Sequence, residues 1–230
     1  MVTPLVINEK KYSINHPINF PVQAQINEMV RRRWYECPMP EIGTVIDAGA
    51  NLGVYSLYIS EFAKKVYAIE PYTPSYDYLA QNIKENKKEN IRYYKFALAG
   101  TPGMRVLYTS YNKEDTSAYS LLPVGEKAEI VKTKTLARFM KDEKIDLVHI
   151  LKTDIEGAEQ EMFSADDFHN IAPKILCIVG EYHIQCRNLQ EILEWHGYDY
   201  STDARGMYMA IRKVNKVDLL PHEKNNGIII

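Results

Sequence analysis

Short apolar runs alternate with amphipathic segments along the chain from Thr44 onward. Residues 45–46 and 66–69 are predicted to be buried strands, and each is followed by apolar residues at helical spacing. Alternation of this kind predicts an α/β fold, in which helices cover both faces of a parallel sheet. The chain has 230 residues, of which 46% are hydrophobic, so it can bury the core of one large domain.

The start of the chain follows a different pattern. Residues 1–40 are predicted to form an N-terminal cap, in which a small hairpin precedes a helix that begins near Val22 and ends before Pro38. Residues 41–213 are then the main domain, and residues 214–230 are a C-terminal tail with little pattern.

The main domain contains several further predicted elements. Strands are expected at residues 91–96, 147–153 and 175–182, and helices are expected to open with Thr73 as a cap, near Gly157, and over residues 188–196. Residues 104–108 and 130–135 break the alternation and are predicted to be two strands joined by a polar loop. Residues 198–201 and 207–212 are close enough in sequence to pair as a terminal antiparallel hairpin.

Composition excludes several classes of protein. The 28 Lys and Arg residues against 30 Asp and Glu residues give a net charge of -2, which argues against a dedicated nucleic-acid-binding surface. The three cysteines are far apart and fit neither a disulfide framework nor a Cys-x-x-Cys metal site, so a reducing, cytoplasmic setting is expected. No apolar run approaches the roughly twenty residues of a transmembrane helix, and the first ten residues do not resemble a secretory signal.

Acidic residues follow four of the predicted parallel strands, at the point where each strand ends. They are Asp47, Glu70, Asp154 with Glu156, and Glu181 with the neighbouring His183. Ligands of open α/β sheets bind outside the carboxyl ends of the strands. Like charges on a partly desolvated edge repel one another, so a ligand or raised pKa values must neutralise some of them. The row of acids therefore predicts a functional site.

Residues 47–53, with the sequence Asp-Ala-Gly-Ala-Asn-Leu-Gly, lie between a predicted strand and its helix. Gly49 and Gly53 allow the backbone to approach a ligand, and the start of the helix offers free N–H groups. A dinucleotide site would have a third glycine, where this chain has Val54 and Tyr55. The charge of Asp47 would also oppose a pyrophosphate, so a cationic ligand suits this loop better.

Glu70 lies 23 residues after Asp47, at the end of the next predicted strand. A carboxylate at this position can accept hydrogen bonds from both hydroxyls of a ribose. An adenosine with a cationic amino-acid tail satisfies both Glu70 and the acidic loop, and S-adenosylmethionine is such a molecule. We therefore expect it to be the cofactor, with its adenine ring near Ala97, just after the third strand.

Four segments resemble the FkbM-like S-adenosylmethionine-dependent methyltransferases: residues 45–53, 67–71, 152–159 and 181–183. The first two segments occur in many methyltransferases, whereas the last two are more specific to this family. The resemblance implies a Rossmann-like class I methyltransferase fold with a mostly parallel seven-stranded sheet, and methyl transfer to a hydroxyl of a sugar or other natural product. The cofactor-binding residues that it implies are Glu36, Asp47, Gly49, Ala50, Asn51, Gly53, Glu70, Pro71, Ala97 and Asp154.

The resemblance also places Asp154, Glu156, Glu181 and His183 in the reaction cleft. An alcohol is a weak nucleophile, and a base can take its proton as the new bond forms. His183 is the first candidate because imidazole titrates near neutral pH, and Asp154 and Glu181 are the alternatives.

We expect no metal ion at these residues, although divalent cations prefer oxygen ligands such as those of Asp154, Glu156 and Glu159. Asp154 and Glu156 flank a single residue at a strand-to-helix junction, which should send their side chains in different directions. Glu156 and Glu159 in the first turn of a helix would be favourable without an ion.

Three other functions compete with a small-molecule or glycan O-methyltransferase. A nicotinamide-dependent oxidoreductase would also have an acid after the second strand, but the third glycine is missing. An RNA or DNA base methyltransferase usually has an Asn/Asp-Pro-Pro-Tyr/Phe run where this chain has residues 154–157. A non-catalytic cofactor-binding protein would not need the cleft acids. The loop at residues 111–129, which contains Thr116 and Ser117, is expected to select the acceptor.

Overall fold

The structure is a computed structural model that describes residues 1–27, 41–109, 119–123, 125–183, 186–204 and 206–213. Its strands are β1 (Val2–Ile7), β2 (Lys10–Asn15), β3 (Ile42–Ala48), β4 (Ala63–Ile69), β5 (Ile91–Tyr94), β6 (Ala97–Leu98), β7 (Gly103–Thr109), β8 (Tyr119–Ser120), β9 (Lys127–Lys134), β10 (Val148–Thr153), β11 (Ile175–Glu181), β12 (Tyr198–Thr202) and β13 (Met207–Arg212). Its helices are α1 (Val22–Ile26), α2 (Val54–Ile59), α3 (Thr73–Glu85), α4 (Leu136–Asp142), α5 (Glu159–Phe163) and α6 (Leu189–Trp195).

Seven strands form the main sheet, in the order β12-β13-β11-β10-β3-β4-β5. The five strands from β11 to β5 in this order run parallel, and β13 is antiparallel to both of its neighbours. Helices cover both faces of a parallel sheet, which is why the buried residues of its central strands are mostly apolar. The predicted α/β fold, with a mostly parallel seven-stranded sheet and an antiparallel terminal hairpin, is confirmed.

Two hydrophobic cores lie on the two faces of the main sheet. Val45 and Val66 belong to the core that contains residues of α2, α3 and the N-terminal hairpin. Ile46 and Ile69 belong to the other core, with residues of α4, α5 and α6. Successive residues of a strand point to opposite faces, so β3 contributes to both cores. Burial of each large aliphatic side chain contributes roughly 1.5–3 kcal/mol to the stability of the fold.

The N-terminal hairpin of β1 and β2 packs on the first of these cores, in which Leu5 and Ile14 are buried. The Asn82 side-chain carbonyl in α3 accepts a hydrogen bond from the backbone N–H of Asn15 at 2.7 Å. The predicted hairpin and a helix that begins at Val22 are confirmed. The rest of the predicted cap after residue 27, and the predicted tail, lie outside the described residues.

A second sheet, in the order β6-β9-β7-β8, accounts for the break in the alternation. The antiparallel strands β7 and β9 cover most of the two strands predicted at residues 104–108 and 130–135. The strand predicted at residues 91–96 is wrong at its end, because β5 stops at Tyr94. Three residues further on, Ala97 pairs with β9 and thereby brings the chain into the second sheet.

The start of α3 differs from the prediction that Thr73 caps it. Tyr72 is the capping residue, and Thr73 is the first residue of the helix. The backbone N–H and the hydroxyl of Thr73 donate to the two carboxylate oxygens of Glu129 at 2.8 and 2.6 Å. A strand of the second sheet therefore supplies the acceptor that the helix start needs.

The helix predicted near Gly157 begins at Glu159 instead. Glu156 has a φ of 54° and Gly157 has a φ of 95°, and neither value is compatible with a right-handed helix. The turn between β10 and α5 is consequently longer than predicted. Among the helices that the structure describes, none is long and apolar enough to cross a bilayer.

Candidate active site

A cleft of about 460 Å³ lies at the carboxyl ends of the parallel strands. This volume is within the range of roughly 300–1,000 Å³ that is usual for small-molecule sites. Residues of α1 and of the second sheet complete its walls. The predicted site residues that line it are Gly49, Ala50, Asn51, Glu70, Pro71, Ala97, Asp154, Glu156, Glu181 and His183. The fold therefore brings residues from five sequence segments to one site.

The loop after β3 is held tightly against the end of β4 and the turn after β10. The backbone N–H groups of Gly49 and Ala50 both donate to the carbonyl of Ile69 at 3.0 Å. Gly49 has a φ of +77°, and a Cβ at this position would lie 1.8 Å from the carbonyl oxygen of Asp154. Glycine is required here because any side chain would collide with that backbone.

Glu70 is buried at the end of β4 and lines the cleft. One carboxylate oxygen accepts the backbone N–H of Asn51 at 2.8 Å, and the other accepts the backbone N–H of Tyr72 at 2.9 Å. Burial raises the pKa of Glu70 to about 7, against the lowering effect of these two hydrogen bonds. The carboxylate therefore organises two loops of the cleft and also faces its interior.

Asp47 does not line the cleft, although the sequence suggested that its charge points into the loop. It is fully buried, its Oδ2 accepts the Ser56 hydroxyl at 2.6 Å, and its Oδ1 lies 3.2 Å from Nζ of Lys152. Burial opposes a charged lysine, but Asp47 and Asp154 outweigh it and raise the pKa of Lys152. Lys152 also donates to the carbonyl of Gly49 at 2.7 Å. Asp47 therefore supports the glycine loop through Lys152.

Lys152 was not predicted as a site residue, although the sequence contains a signal for it. It is the charged residue near the end of an apolar run, and the β3–β10 register places it directly opposite Asp47. An unpaired charge in a parallel strand is costly, so a partner on the neighbouring strand is expected. Tyr55, Tyr119 and Leu121 also line the cleft and were not predicted as site residues.

Gly53, like Asp47, is a predicted cofactor residue that does not line the cleft. Gly53 caps α2 with a φ of +85°, and a Cβ there would lie 2.5 Å from Cδ1 of Leu79. Its role in the fold is to let α2 approach α3 closely. Glu36 lies outside the described residues, as do Thr116 and Ser117 of the predicted acceptor loop.

Asp154, Glu156 and His183 converge on one wall of the cleft, and we call them the acid–histidine cluster. Nε2 of His183 lies 3.4 Å from Oε2 of Glu156 and 4.0 Å from Oδ1 of Asp154. The expectation that the two carboxylates diverge is wrong. Glu156 adopts a left-handed backbone conformation instead of starting a helix, and its carboxylate lies on the same side as that of Asp154.

A fully buried carboxylate holds the far side of the histidine ring. Oε1 of Glu159 lies 3.2 Å from Nδ1 of His183, and the Glu159 side chain accepts the backbone N–H groups of Ile155 and Gly157 at 2.8 and 2.9 Å. Burial would lower the pKa of His183, but Glu156 and Glu159 overcome it and raise that pKa to about 11. Unless another cation takes the place of its proton, His183 is therefore a cation at neutral pH.

Glu181 completes this end of the cleft, at the end of β11. Burial, followed by the nearby charge of Asp154, raises the pKa of Glu181 to about 7. Burial also raises the pKa of Glu156. Carboxyl groups with raised pKa values are typical of sites that handle protons or bind cations.

The comparisons with known proteins agree with this architecture. Residues 47–211 match the methyltransferase FkbM domain family, and this match covers well over half of the chain. The chain belongs to the FkbM family of methyltransferases. A curated relative, Methyltransferase 1 of Beauveria bassiana, is 24% identical in a 212-residue alignment that spans 77% of this chain and 84% of the relative.

Solved structures show the same fold at low sequence identity. A methyltransferase FkbM from Methylobacillus flagellatus has a TM-score of 0.52 and 13% identity, over 77% of this chain. The match spans 46% of that protein, so this chain corresponds to about half of its length. A precorrin-6y C5,15-methyltransferase from Geobacter metallireducens has a TM-score of 0.50 and 12% identity, over 82% of this chain and 88% of the other.

Family membership makes this chain a methyltransferase, and it confirms the predicted Rossmann-like class I methyltransferase fold. The prediction of S-adenosylmethionine as the cofactor is confirmed as well. The cleft at the carboxyl ends of the strands is the place where this fold class binds its ligands.

Proposed function

We propose that this FkbM-family protein transfers a methyl group from S-adenosylmethionine to a hydroxyl group of a small molecule, such as a sugar or another natural product. The observation that carries this proposal is that one cleft joins two chemically different groups of residues, one after β3 and β4 and the other after β10 and β11. Gly49 and Glu70 stand at the end that suits a nucleoside. Asp154, Glu181 and His183 stand at the end with proton-accepting and charged groups.

The nucleoside end fits the cofactor. Each carboxylate oxygen of Glu70 uses one lone pair for a backbone N–H and keeps another for a ribose hydroxyl. Ala97 and Leu98 provide an apolar surface for an adenine ring. The neighbouring carboxylates favour a ligand with sulfonium and ammonium charges. We assign cofactor binding to Gly49, Ala50, Asn51, Glu70, Pro71 and Ala97 at this end, and to Asp154 of the other end, whose charge suits the cationic tail.

When bound, S-adenosylmethionine supplies the methyl group, and its S–C bond breaks as the C–O bond to the acceptor forms, which leaves S-adenosylhomocysteine. We assign to Glu181 the acceptance of the hydroxyl proton, because its carboxylate is half-buried on the cleft wall. His183 is less suitable, since both of its ring nitrogens face carboxylates at 3.2 and 3.4 Å. The walls of the cleft would hold the acceptor hydroxyl close to the donor, since alignment is the main requirement of an already activated methyl group.

An isotopically labelled donor tests this proposal. Incubation with fractionated cell extract, followed by mass spectrometry of the labelled product, should locate the methyl group on an oxygen atom of a small molecule. A label on nitrogen or carbon, or on nucleic acid, would refute the proposed acceptor.

Glu181→Gln should lower kcat by roughly 10²–10⁴-fold, the usual contribution of a general base. Its affinity for S-adenosylhomocysteine should stay the same, because Glu181 is not assigned to the nucleoside end. Glu191→Gln, on an exposed part of α6, is the matched control and should keep the wild-type rate. A Glu181→Gln enzyme with full activity would show that another group takes the proton.

A further inference from the structure

We propose that the acid–histidine cluster of Asp154, Glu156 and His183 binds a divalent transition-metal ion such as Mn²⁺, which orients two adjacent oxygens of the acceptor. The inference rests on the proposed function for the identity of the acceptor, but the metal site itself is defined by residues of this chain. It reverses the expectation from the sequence that no metal binds here.

The distances within the cluster suit a single ion. Ligand atoms that lie about 2.0–2.2 Å from one metal ion cannot be more than about 4.4 Å from each other. Nε2 of His183 lies 3.4 Å from a Glu156 oxygen and 4.0 Å from an Asp154 oxygen. Suitable ligand atoms of all three residues lie within 4.8 Å of one another, so only a small contraction is needed to reach a common ion.

The donor set is mixed, which distinguishes it from an ordinary group of surface acids. Two carboxylates and one imidazole suit Mn²⁺, Fe²⁺ or Zn²⁺ better than Ca²⁺, which prefers oxygen ligands alone. The three side chains are mostly buried, with exposed fractions of 27%, 32% and 14% for Asp154, Glu156 and His183. Partial burial removes competing water and leaves one side of the cluster open to the cleft.

A fourth residue orients the imidazole as metal sites require. Histidine ligands usually donate their second ring N–H to a carboxylate, which fixes the tautomer and directs the other nitrogen at the metal. Glu159 occupies this position, with its Oε1 3.2 Å from Nδ1 of His183. Glu159 is fully buried and is itself held by two backbone N–H groups, so it keeps a carboxylate beside Nδ1 while Nε2 faces Asp154 and Glu156. Binding of the ion would release the proton from Nε2.

The excess of negative charge around the cleft also favours a bound cation. Among the described residues that line the cleft, four are carboxylates, against one lysine and one histidine: Glu70, Asp154, Glu156 and Glu181 against Lys152 and His183. Behind this wall, Lys152 is paired with the buried Asp47 and His183 with the buried Glu159. S-adenosylmethionine carries a net charge of only about +1 at neutral pH, from its sulfonium, ammonium and carboxylate groups. A divalent ion compensates much of the remaining negative charge.

Three protein ligands leave coordination positions open on the cleft side. Catalytic metal sites use such positions to bind and polarise substrate oxygens. An acceptor with two neighbouring oxygens, such as a vicinal diol, could fill two of them. The ion would then place one hydroxyl for methylation and make its proton easier for Glu181 to remove.

Direct metal-binding measurements test the site without reference to turnover. The full chain, treated with a chelator and dialysed, is titrated with Mn²⁺ by electron paramagnetic resonance and by calorimetry at neutral pH. Wild-type protein should bind one Mn²⁺ per chain. His183→Gln and Glu156→Gln should each weaken this binding at least about tenfold. Asp146→Asn, an exposed acid at the opposite end of β10, is the matched control and should bind Mn²⁺ like the wild type.

Binding of S-adenosylhomocysteine to the same chelator-treated proteins separates the two proposals. We expect it to bind without Mn²⁺, and we expect turnover of labelled donor to stop in chelator and to return with Mn²⁺. Absence of Mn²⁺ binding by the wild type, equal binding by His183→Gln, or turnover that continues in chelator would overturn the metal site. Loss of S-adenosylhomocysteine binding with Mn²⁺ binding intact would instead count against the proposed function.

Discussion

Glu70 illustrates how one side chain can connect the fold to ligand binding. It accepts backbone N–H groups from Asn51 and Tyr72, and so ties together the loops after β3 and β4. Its burial raises the pKa to about 7, which means that a substantial share of the carboxyl groups is protonated near neutral pH. In the proposed complex the ribose hydroxyls donate to Glu70, and only the ionised form can accept both.

The affinity for S-adenosylhomocysteine should therefore depend on pH. At pH 6 most Glu70 carboxyls are protonated and at pH 8 most are ionised, so affinity should rise by up to about tenfold across this interval. Ligand binding lowers the pKa of Glu70, and the complex should release protons to the buffer. Calorimetry in buffers of different ionisation enthalpy measures both effects.

Glu70→Gln is the control for this pH dependence. The glutamine side chain retains one oxygen acceptor but cannot titrate. The variant should therefore bind S-adenosylhomocysteine more weakly than the wild type, and its complex should release fewer protons. Glu89→Gln, an exposed acid after α3, should behave like the wild type. If Glu70→Gln showed the full wild-type pH dependence, the titrating group would be a different one.

The turn after β3 is the element whose shape determines the floor of the cleft. Its glycine, Gly49, has a positive φ, and it also packs directly on the backbone of Asp154. Gly206, in the loop before β13, has a similar φ of +84°, but the nearest atom to a Cβ there is 4.0 Å away. A side chain at Gly206 would meet only the strain of a left-handed backbone. A side chain at Gly49 would meet the same strain and would also collide with the backbone of Asp154.

Gly206→Ala should therefore lower the free energy of unfolding by about 1–2 kcal/mol, the usual cost of a left-handed non-glycine residue. Gly49→Ala should lower it by clearly more and should also weaken S-adenosylhomocysteine binding, because the loop and the Asp154 turn must separate. Urea denaturation and calorimetry measure these effects. Equal losses of stability in the two variants would contradict the close packing described for Gly49.

The N-terminal hairpin is anchored by Glu61, which follows α2. Its carboxylate pairs with Lys88, with Lys10 of the hairpin at 2.6 Å, and with the Tyr12 hydroxyl. Burial would raise the pKa of Glu61, but the hydrogen bonds from these three partners outweigh it and lower the pKa to about 2. The folded state therefore favours the ionised carboxylate.

Glu61→Gln should lower the free energy of unfolding at neutral pH by about 1.5–3 kcal/mol, the usual range for hydrogen bonds to a charged group. The difference in free energy of unfolding between the wild type and the variant should be largest above the ordinary carboxyl pKa of about 4.5. It should disappear as the pH falls toward 2. Urea denaturation at several pH values measures the difference, with Glu9→Gln in the exposed hairpin turn as a control that changes little. If the difference in free energy of unfolding between the wild type and Glu61→Gln stayed constant from pH 4.5 to pH 2, Glu61 would not be stabilised as an ionised carboxylate by Lys10, Lys88 and Tyr12.

At the scale of the whole molecule, the sequence predicts the fold well because local patterns determine it. The apolar runs locate the parallel strands, and since parallel strands end at one edge, the residues after them meet there. This is why the sequence alone predicts that Glu70, Asp154 and Glu181, which are far apart in sequence, lie in one cleft.

Other features depend on contacts that no local pattern reveals. The partnership of Asp47 with Lys152 follows from the register between β3 and β10. The convergence of Asp154 and Glu156 follows from a left-handed backbone conformation at Glu156, a state that glutamate rarely adopts. Such details are decided by tertiary packing, and they are also the details that change the chemistry of the site.

The central claim is that the cleft of this FkbM-family methyltransferase binds an S-adenosyl nucleoside. Calorimetric titration with S-adenosylhomocysteine, and separately with NAD, tests that claim most directly. We predict binding of one S-adenosylhomocysteine per chain in the micromolar range and no binding of NAD. Tight binding of NAD with no response to S-adenosylhomocysteine would contradict the account.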